Sequence, residues 1–275
     1  MNNLTQDKTG IGIHVHENGD YSSLKHLFHS YGWFNSCMQV VILAGGYGTR
    51  LSEETDTIPK PMVRIGPDPI LVHLMRYFAA FGHSDFIIAA GYKHELIDDF
   101  FAEFKHPWNV KVINTGLDVG TGGRLLKLDE YLDDVFLLTY GDGLGNVDLN
   151  QLELMYTQSD FRVVVTAVRP PARFGSIKSS GNLVTSFQEK NPHDEGWING
   201  GFFICDKRVL SLIPNLEEPW EGEPMTRLVQ ESALGVLHHN GWWQPMDTLR
   251  DKRQLEAIWK SGSVPWVRTE LNKNA

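Results

Sequence analysis

The chain has 275 residues, of which 41% are hydrophobic, so it can bury one substantial core or two modest ones. Its formal net charge of −9 argues against a nucleic-acid-binding protein, which would carry a basic surface. A few local cations and backbone N–H groups could still hold a small phosphorylated ligand. No apolar stretch approaches the ~20 residues that cross a bilayer, so no membrane association is expected.

The first 37 residues differ from the rest, because they are rich in Asn, Asp, Gly and Ser and contain four histidines. They could form a functional arm that binds a metal, or a poorly ordered extension. The second reading is favoured because the histidine spacing matches no standard zinc pattern. The polar start lacks the features of a secretion signal, and Cys37 and Cys205 are far apart in sequence. Reduced thiols and a cytoplasmic location are therefore expected.

From residue 39 onward, short apolar runs alternate with longer amphipathic segments. The predicted strands cover residues 39–44, 85–90, 110–114, 135–140, 162–168, 183–188 and 200–205. The predicted helices cover residues 69–82, 93–104, 122–132, 149–159, 207–213 and 249–262. Several strands are apolar throughout, as expected where helices cover both faces of a sheet. The pattern predicts one α/β domain over residues 38–275, with a doubly wound, mostly parallel sheet.

The first predicted strand runs into the sequence GGYGTR, at the sheet edge where such folds bind ligands. Its glycines allow a tight turn whose N–H groups can approach an anion or a base. The turn is neither a Walker A loop nor a dinucleotide fingerprint, since Leu51 stands at the third glycine position. Arg50 then offers a planar fork for phosphate oxygens, and flanking prolines restrain the cation of Lys60. The combination predicts a phosphate site.

A carboxylate candidate for a metal follows another strand. Asp142 lies between two glycines after a buried strand, which predicts an exposed carboxylate. One carboxylate together with substrate phosphates is the usual way to hold Mg²⁺, although an isolated Asp-Gly turn is more often only a turn. Asp247, in the sequence QPMDT, is the second candidate ligand, but spacing alone does not pair the two.

Four later motifs offer groups for a base and a sugar. Residues 121–123, in TGGRL, open a helix where backbone groups could read a base edge. Lys190 lies beyond a strand, where it could bind a phosphate or only pair with Glu189 at the surface. Asn199, in INGGFF, lies where a sugar could approach the backbone, and Glu221, in WEGEP, could accept hydrogen bonds from sugar hydroxyls. An ordinary charged loop explains the last motif equally well.

Taken together, VVILAGGYGTRL, PKPM, TGGRL, TYGDG, FQEK, INGGFF and QPMDTLRDK resemble the sugar-1-phosphate nucleotidyltransferases, over nearly all of residues 38–266. The order of TGGRL, RFG, INGGFF, WExEP and WQPMDTLRDK is most similar to the cytidylyltransferase branch. The resemblance implies a Rossmann-like, GT-A-like fold and Mg²⁺ as cofactor. It also implies transfer of CMP from CTP to α-D-glucose 1-phosphate, giving CDP-glucose for the deoxysugars of bacterial surface polysaccharides.

The resemblance also implies a role for each matching position. The nucleotide would contact Leu43, Ala44, Gly45, Gly46, Gly48, Thr49, Thr121, Gly122, Gly123, Arg124 and Gly141. The catalytic cations would be Arg50 on the β and γ phosphates, Lys60 on the α-phosphate and Lys190 on the sugar phosphate. The sugar phosphate would contact Lys190, Asn199, Gly200, Trp220 and Glu221, and Mg²⁺ would be held by Asp142 and Asp247.

One departure from the branch leaves alternatives open. Only the sequence KHP separates the helix ending near Phe104 from PWNV, where the branch carries a longer excursion near the nucleotide and the subunit contacts. A homo-oligomer and a same-fold enzyme with another nucleotide or acceptor therefore remain open. A non-catalytic sensor is disfavoured, because the five charged residues that such a module usually loses are all present: Arg50, Lys60, Asp142, Lys190 and Asp247.

Overall fold

The computed structural model describes residues 37–170, 176–180, 183–188 and 196–267 of the chain. Apart from Cys37, the predicted N-terminal extension lies outside the described residues, and so does Lys190. The domain boundary at residue 38 and the role of Lys190 therefore stay predictions.

A seven-stranded sheet forms the centre of the described chain. Its strands are β1 (Gln39–Ala44), β4 (Asp85–Ala90), β5 (Asn109–Asn114), β6 (Val135–Tyr140), β8 (Val163–Val168), β11 (Ile198–Asp206) and β12 (Leu234–His239). Their spatial order is β12-β8-β11-β6-β1-β4-β5. All neighbours pair in parallel except β11, which is antiparallel to β6 and β8. The predicted mostly parallel sheet is confirmed.

Three two-stranded ribbons accompany this sheet. They pair β2 (Arg64–Ile65) with β3 (Asp68–Pro69), β7 (Gly143–Gly145) with β13 (Trp243–Pro245), and β9 (Ser176–Ser180) with β10 (Leu183–Gln188). The strand predicted at residues 183–188 therefore exists, but it belongs to a separate hairpin rather than to the main sheet.

Seven α-helices are described. They are α1 (Ser52–Thr55), α2 (Ile70–Ala79), α3 (His94–Glu103), α4 (Thr121–Lys127), α5 (Leu149–Thr157), α6 (Glu223–Gln230) and α7 (Leu249–Ser261). Short 3₁₀ turns cover Thr49–Leu51, Lys60–Met62, Asp129–Tyr131 and Lys207–Leu212. The helix predicted at 207–213 is thus a 3₁₀ segment, and the one at 122–132 divides after Lys127. In the described residues, no helix has both the length and the apolar character needed to span a membrane.

Both faces of the sheet are covered by packed apolar side chains. Along β1, Val40 and Ile42 belong to one core cluster, whereas Val41 and Leu43 belong to the other. This alternation explains why the strand is apolar throughout, as in a doubly wound sheet. Each such side chain contributes about 1.5–3 kcal/mol on burial. The carboxyl end of β1 is therefore firmly anchored below the glycine turn.

The connection between α3 and β5 is short, as the sequence indicated, and aromatic side chains line it. The rings of Phe100 and Phe104 stack with centroids 4.9 Å apart, and those of His106 and Trp108 stack at 5.5 Å. The ring of Phe104 in turn stacks on His106 at 5.9 Å. These contacts join the end of the helix to the start of the strand without any longer excursion.

Candidate active site

The carboxyl ends of the parallel strands meet at one edge of the sheet. Ala44 of β1 pairs with Ala90 of β4, and Leu43 pairs with Tyr140 of β6. The segments that follow are joined by main-chain hydrogen bonds: Gly141 N–H donates to the Leu43 carbonyl at 3.0 Å, and Tyr92 N–H donates to the Gly45 carbonyl at 3.3 Å. The polar residues predicted at the strand ends are therefore brought together from distant parts of the sequence.

The glycine turn after β1 requires its last glycine. Gly48 has a left-handed backbone with φ of 66°, and a Cβ there would lie 2.9 Å from Cγ2 of Thr55. The Gly48 carbonyl accepts hydrogen bonds from Leu51 N–H at 2.9 Å and from the Thr55 hydroxyl at 3.0 Å. The turn is thus fixed from behind. Its outer residues Gly46 and Thr49 remain exposed, where a ligand can reach them.

The four charged side chains predicted around the triphosphate and the metal form one cluster. The ammonium of Lys60 donates to Oδ2 of Asp142 at 2.6 Å and to Oδ1 of Asp247 at 2.8 Å. Arg50 donates from Nη1 to Oδ2 of Asp247 at 3.1 Å. The Lys60 side chain is 11% exposed and that of Arg50 is 73% exposed. Lys60 is therefore held at the base of the site, while the guanidinium of Arg50 stands at its open side.

Lys60 keeps its charge despite its burial. Burial acts to lower the pKa of the ammonium, but the charges and hydrogen bonds of Asp142 and Asp247 act to raise it, and the net shift of the pKa is upward. The 3₁₀ turn Lys60–Met62 closes through Met62 N–H to the Pro59 carbonyl at 2.8 Å. The side chain is thus a permanent cation on a restrained backbone, as the flanking prolines predicted.

The same two carboxylates fit a magnesium ion. Asp142 and Asp247 already converge on one cation, and hard oxygen ligands of this kind suit Mg²⁺. Met246 N–H donates to the Asp142 carbonyl at 2.8 Å, which fixes the two segments relative to one another. The described part of the chain contains no group of three or more His, Cys, Asp or Glu residues that could hold a metal. One or two protein carboxylates are the usual protein contribution to a Mg²⁺ site, beside waters and substrate phosphates.

Helix α7 fixes Asp247 from the other side. Its capping box pairs the Thr248 hydroxyl with Asp251 N–H at 3.3 Å and the Asp251 carboxylate with Thr248 N–H at 2.9 Å. The same carboxylate accepts from Asp247 N–H at 3.2 Å. Caps of this kind contribute about 1 kcal/mol each. The motif QPMDTLRD thus sets both the start of the helix and the position of the candidate metal ligand.

The predicted nucleotide-binding residues fall into two groups. Gly46, Gly48, Thr49 and Thr121 are at least partly accessible, whereas the following are buried: Leu43, Ala44, Gly45, Gly122, Gly123, Arg124 and Gly141. The buried members can still present main-chain atoms toward the site. For Gly122 and Gly123, however, the structure gives a different explanation.

Gly122 and Gly123 have a packing role in the structure, while their contact with a nucleotide stays a prediction. Their N–H groups both donate to the Glu218 carbonyl, at 3.0 and 3.2 Å. A Cβ on Gly122 would lie 2.8 Å from that oxygen, and a Cβ on Gly123 would lie 1.8 Å from the Leu216 carbonyl oxygen. The two glycines therefore let the start of α4 approach the backbone of residues 216–218, and their donors are already used.

This packing predicts a large stability difference between two glycine substitutions. Gly123→Ala should lower the free energy of unfolding by about 1–3 kcal/mol, because the added methyl overlaps the backbone of Leu216. Gly46→Ala is the matched control. Apart from its chain neighbours, no atom would lie within 4 Å of a Cβ at this position, so the free energy of unfolding should stay within about 1 kcal/mol of the parent value. Urea unfolding followed by circular dichroism measures both. Equal midpoints for the two variants would contradict this interpretation.

Arg124 lies behind the glycine turn. Its guanidinium donates to the carbonyls of Gly45 at 3.0 Å, Gly116 at 2.8 Å and Ala90 at 3.3 Å, and it also bonds to the Thr115 hydroxyl. The residue is only 4% exposed, and burial lowers the pKa of its side chain. Contact with a nucleotide stays a prediction. The bonds that the structure contains tie together the segments after β1, β4 and β5.

Two of the residues predicted for the sugar, Asn199 and Glu221, are joined through Tyr140, which precedes Asp142 by two positions. Asn199 Nδ2 donates to the Tyr140 hydroxyl at 3.0 Å, and this hydroxyl donates to Oε1 of Glu221. Oε2 of Glu221 accepts from the Thr121 hydroxyl at 2.7 Å. Asn199 and Glu221 are both exposed, so they can still reach a ligand. Thr121, predicted for the nucleotide, thus contacts the predicted sugar residue Glu221.

Trp220 does not line a sugar pocket, which corrects the prediction made for it. Its side chain is 0% exposed and belongs to the core cluster on one face of the sheet, where its ring lies edge-on to Phe203 at 6.3 Å. The main-chain N–H of Trp220 donates to the Thr121 hydroxyl at 2.8 Å. The burial of Trp220 therefore anchors the loop that presents Glu221. Gly200, a further predicted contact, is also buried, and its carbonyl accepts from Nε1 of Trp243 at 2.9 Å.

Sequence reasoning missed Tyr140 as a member of this site. It ends β6 and directly precedes Gly141 and Asp142, so its position at a strand end was the available signal. Because Tyr140 continues an apolar run, the sequence pattern indicates only a strand residue.

Comparisons with known proteins identify the fold and the family. The family model described as nucleotidyl transferase matches residues 39–242. A solved structure, HddC from Yersinia pseudotuberculosis, superposes with a TM-score of 0.63 at 25% identity, covering 81% of this chain and 99% of that one.

Two curated relatives resemble the chain over most of its length. The glucose-1-phosphate cytidylyltransferase of Salmonella typhi is 44% identical over 257 residues, which are 85% of this chain and 100% of the relative. The probable glucose-1-phosphate cytidylyltransferase of Bacillus subtilis is 35% identical over 252 residues, covering 83% of this chain and 99% of the relative. With a family model that matches most of the chain and relatives matched along their whole length, the chain belongs to the nucleotidyl transferase family.

Proposed function

We propose that this protein is a glucose-1-phosphate cytidylyltransferase, which transfers CMP from CTP to α-D-glucose 1-phosphate and releases pyrophosphate. The observation that carries the proposal is the convergence of Lys60, Arg50, Asp142 and Asp247 at the edge of the sheet. The substrate assignment is supported by the Salmonella typhi relative, which is 44% identical and bears this name.

The reaction requires alignment and charge neutralisation more than acid–base chemistry. An oxygen of the sugar phosphate attacks the α-phosphorus of CTP, the bond to the β-phosphate oxygen breaks, and pyrophosphate leaves. The attacking oxygen is already an anion, so no general base is needed. What must be overcome is the repulsion between two anions and the loss of their freedom to move.

The charged cluster supplies this neutralisation. Lys60, a buried permanent cation, is suited to stabilise the negative charge that develops at the α-phosphate, and the exposed guanidinium of Arg50 is suited to the departing pyrophosphate. Asp142 and Asp247 would hold Mg²⁺, which when bound neutralises phosphate oxygens and orients the triphosphate. Lys190 is proposed as the cation for the sugar phosphate.

The acceptor would lie beside Asn199 and Glu221, whose exposed polar groups can exchange hydrogen bonds with sugar hydroxyls. The product CDP-glucose would supply deoxysugars for bacterial surface polysaccharides such as lipopolysaccharide. A cytoplasmic location suits these substrates and the two free cysteines. A homo-oligomer remains a prediction, which light scattering on the purified protein can measure.

An assay of pyrophosphate release tests the proposal. The protein is incubated with Mg²⁺ and glucose 1-phosphate together with CTP, UTP, dTTP, GTP or ATP in separate reactions. We expect release with CTP, none without glucose 1-phosphate, and CDP-glucose as the product by mass spectrometry.

The same assay distinguishes the runner-up, a same-fold enzyme with another nucleotide or acceptor. The short connection between α3 and β5 favours keeping this candidate, since the resemblance to the cytidylyltransferase branch implies a longer segment there. Release with a nucleotide other than CTP, or only with another sugar phosphate, would replace the proposal by this alternative. Tight nucleotide binding without any release would contradict both.

A further inference from the structure

Tyr140 joins Asn199 and Glu221, the two polar side chains of the proposed acceptor region. The Tyr140 hydroxyl accepts a hydrogen bond from Asn199 Nδ2 at 3.0 Å and donates its own proton to the carboxylate of Glu221. The other oxygen of this carboxylate accepts from Thr121 at 2.7 Å. The side chain of Asn199 is fixed in turn, because its Oδ1 accepts a hydrogen bond from Gly201 N–H at 2.8 Å. Every link in this chain of hydrogen bonds has a defined donor and acceptor.

The ring of Tyr140 has a fixed position. A register shift in β11 lies between Asn199 and Phe203, and within it Gly201 adopts a φ of 80°. A Cβ on Gly201 would lie 2.6 Å from Cδ2 of Tyr140, so the glycine makes room for the ring. Phe203 packs edge-on against it, with centroids 5.9 Å apart. The hydroxyl is therefore presented at one place.

We propose that Tyr140 is a positioning residue for the acceptor sugar, which holds the Glu221 carboxylate and the Asn199 carboxamide in one fixed relative orientation. This inference rests on the proposed function and deepens it. A carboxylate offers about four acceptor positions, of which Tyr140 and Thr121 use one on each oxygen. Among the hydrogen bonds of the described residues, one position on each oxygen is left over. Such a pair matches two neighbouring hydroxyls of one sugar ring, so the acceptor belongs to the class of sugar phosphates with a vicinal diol.

The substitution Tyr140→Phe tests this role, because it removes the hydroxyl and keeps the packed ring. The variant loses the hydrogen bond that orients the Glu221 carboxylate. KM for glucose 1-phosphate should therefore rise about tenfold, the factor that corresponds to ~1.4 kcal/mol. KM for CTP and kcat should stay within about threefold of the parent values, since the charged cluster of Arg50, Lys60, Asp142 and Asp247 is unchanged. A merely structural role would not separate the two KM values.

Two controls make the result decisive. Tyr131→Phe removes a hydroxyl from the 3₁₀ turn Asp129–Tyr131, outside the acceptor region, and should leave both KM values unchanged. Glu221→Gln should raise KM for glucose 1-phosphate, and the double variant with Tyr140→Phe should be less impaired than the product of the two single effects, because the residues act as one unit. Melting temperatures of all variants exclude unfolding as the cause.

The inference is overturned if Tyr140→Phe leaves KM for glucose 1-phosphate unchanged, raises both KM values equally, or combines with Glu221→Gln in a simply multiplicative way. The proposed function is judged separately, by turnover of the parent protein with CTP and glucose 1-phosphate. If the parent prefers another nucleotide or sugar phosphate, the same comparison is made with that pair. If the parent shows no turnover, calorimetric binding of glucose 1-phosphate to parent and Tyr140→Phe decides: equal affinities overturn the inference.

Discussion

Replacing Lys60 with methionine is expected to lower kcat about 10²–10³-fold, the typical loss when one well-placed charge-stabilising donor is removed. Methionine keeps the length and apolar stem of the side chain and removes only the ammonium. This ammonium is held 2.6 Å from Asp142 and 2.8 Å from Asp247. Steady-state kinetics of pyrophosphate release measures the effect. KM for glucose 1-phosphate should change much less than kcat, because Lys60 belongs to the charged cluster with Asp142 and Asp247 and not to the acceptor region.

A second lysine provides the matched control. Lys207 also pairs with a carboxylate, that of Asp129 at 3.2 Å, but it follows β11 at the amino-terminal edge of the parallel strands. Lys207→Met should leave kcat unchanged. Near-normal turnover of Lys60→Met, in a variant whose melting temperature shows that it is folded, would contradict the role assigned to Lys60.

Asp142→Asn should lower kcat by about 10²–10³ as well, since a weakened metal site loses charge stabilisation of comparable size. Asparagine has nearly the same shape, so the turn between β6 and β7 should be kept, while the negative charge that attracts Mg²⁺ is lost. Part of the activity should return at higher Mg²⁺ concentration. A titration of rate against Mg²⁺ for parent and variant checks this.

Direct metal binding separates the role of Asp142 from that of its neighbours. Mn²⁺ binding in the presence of CTP, followed by electron paramagnetic resonance, should weaken in Asp142→Asn and in Asp247→Asn. It should not change in Asp129→Asn, whose carboxylate pairs with Lys207 away from the site. Unaltered Mn²⁺ affinity in both site variants would rule out these two residues as ligands.

The sequence allowed good prediction of the strands that carry the site. The strands at 39–44, 85–90 and 135–140 have the predicted bounds, because runs such as VVILA are buried on both faces and leave little ambiguity. The weaker elements were missed. Strand β12 lies at the sheet edge with two exposed residues, and α6 is a helix of eight residues that buries only Pro224 and Leu228, so neither forms a long apolar run.

The structure brings the predicted charged residues into contact with one another, and it gives several other predicted site residues packing contacts. The convergence of Arg50, Lys60, Asp142 and Asp247 was expected only through the family resemblance, because nothing in the spacing of residues 50 and 247 indicates contact. Trp220 and the glycines of α4 show a different difficulty, because all three have packing contacts in the structure. A residue of a motif can anchor the backbone next to a ligand-binding residue, as buried Trp220 does beside Glu221. A sequence pattern does not distinguish this structural role from direct contact with the ligand.

The guanidinium of Arg124 has a consequence for how the nucleotide is received. It is bound to the segments after three different strands, so none of them can move without leaving a buried charge and several carbonyls unsatisfied. The turn at Gly45 is therefore pre-organised, and little conformational entropy remains to be lost when a triphosphate arrives.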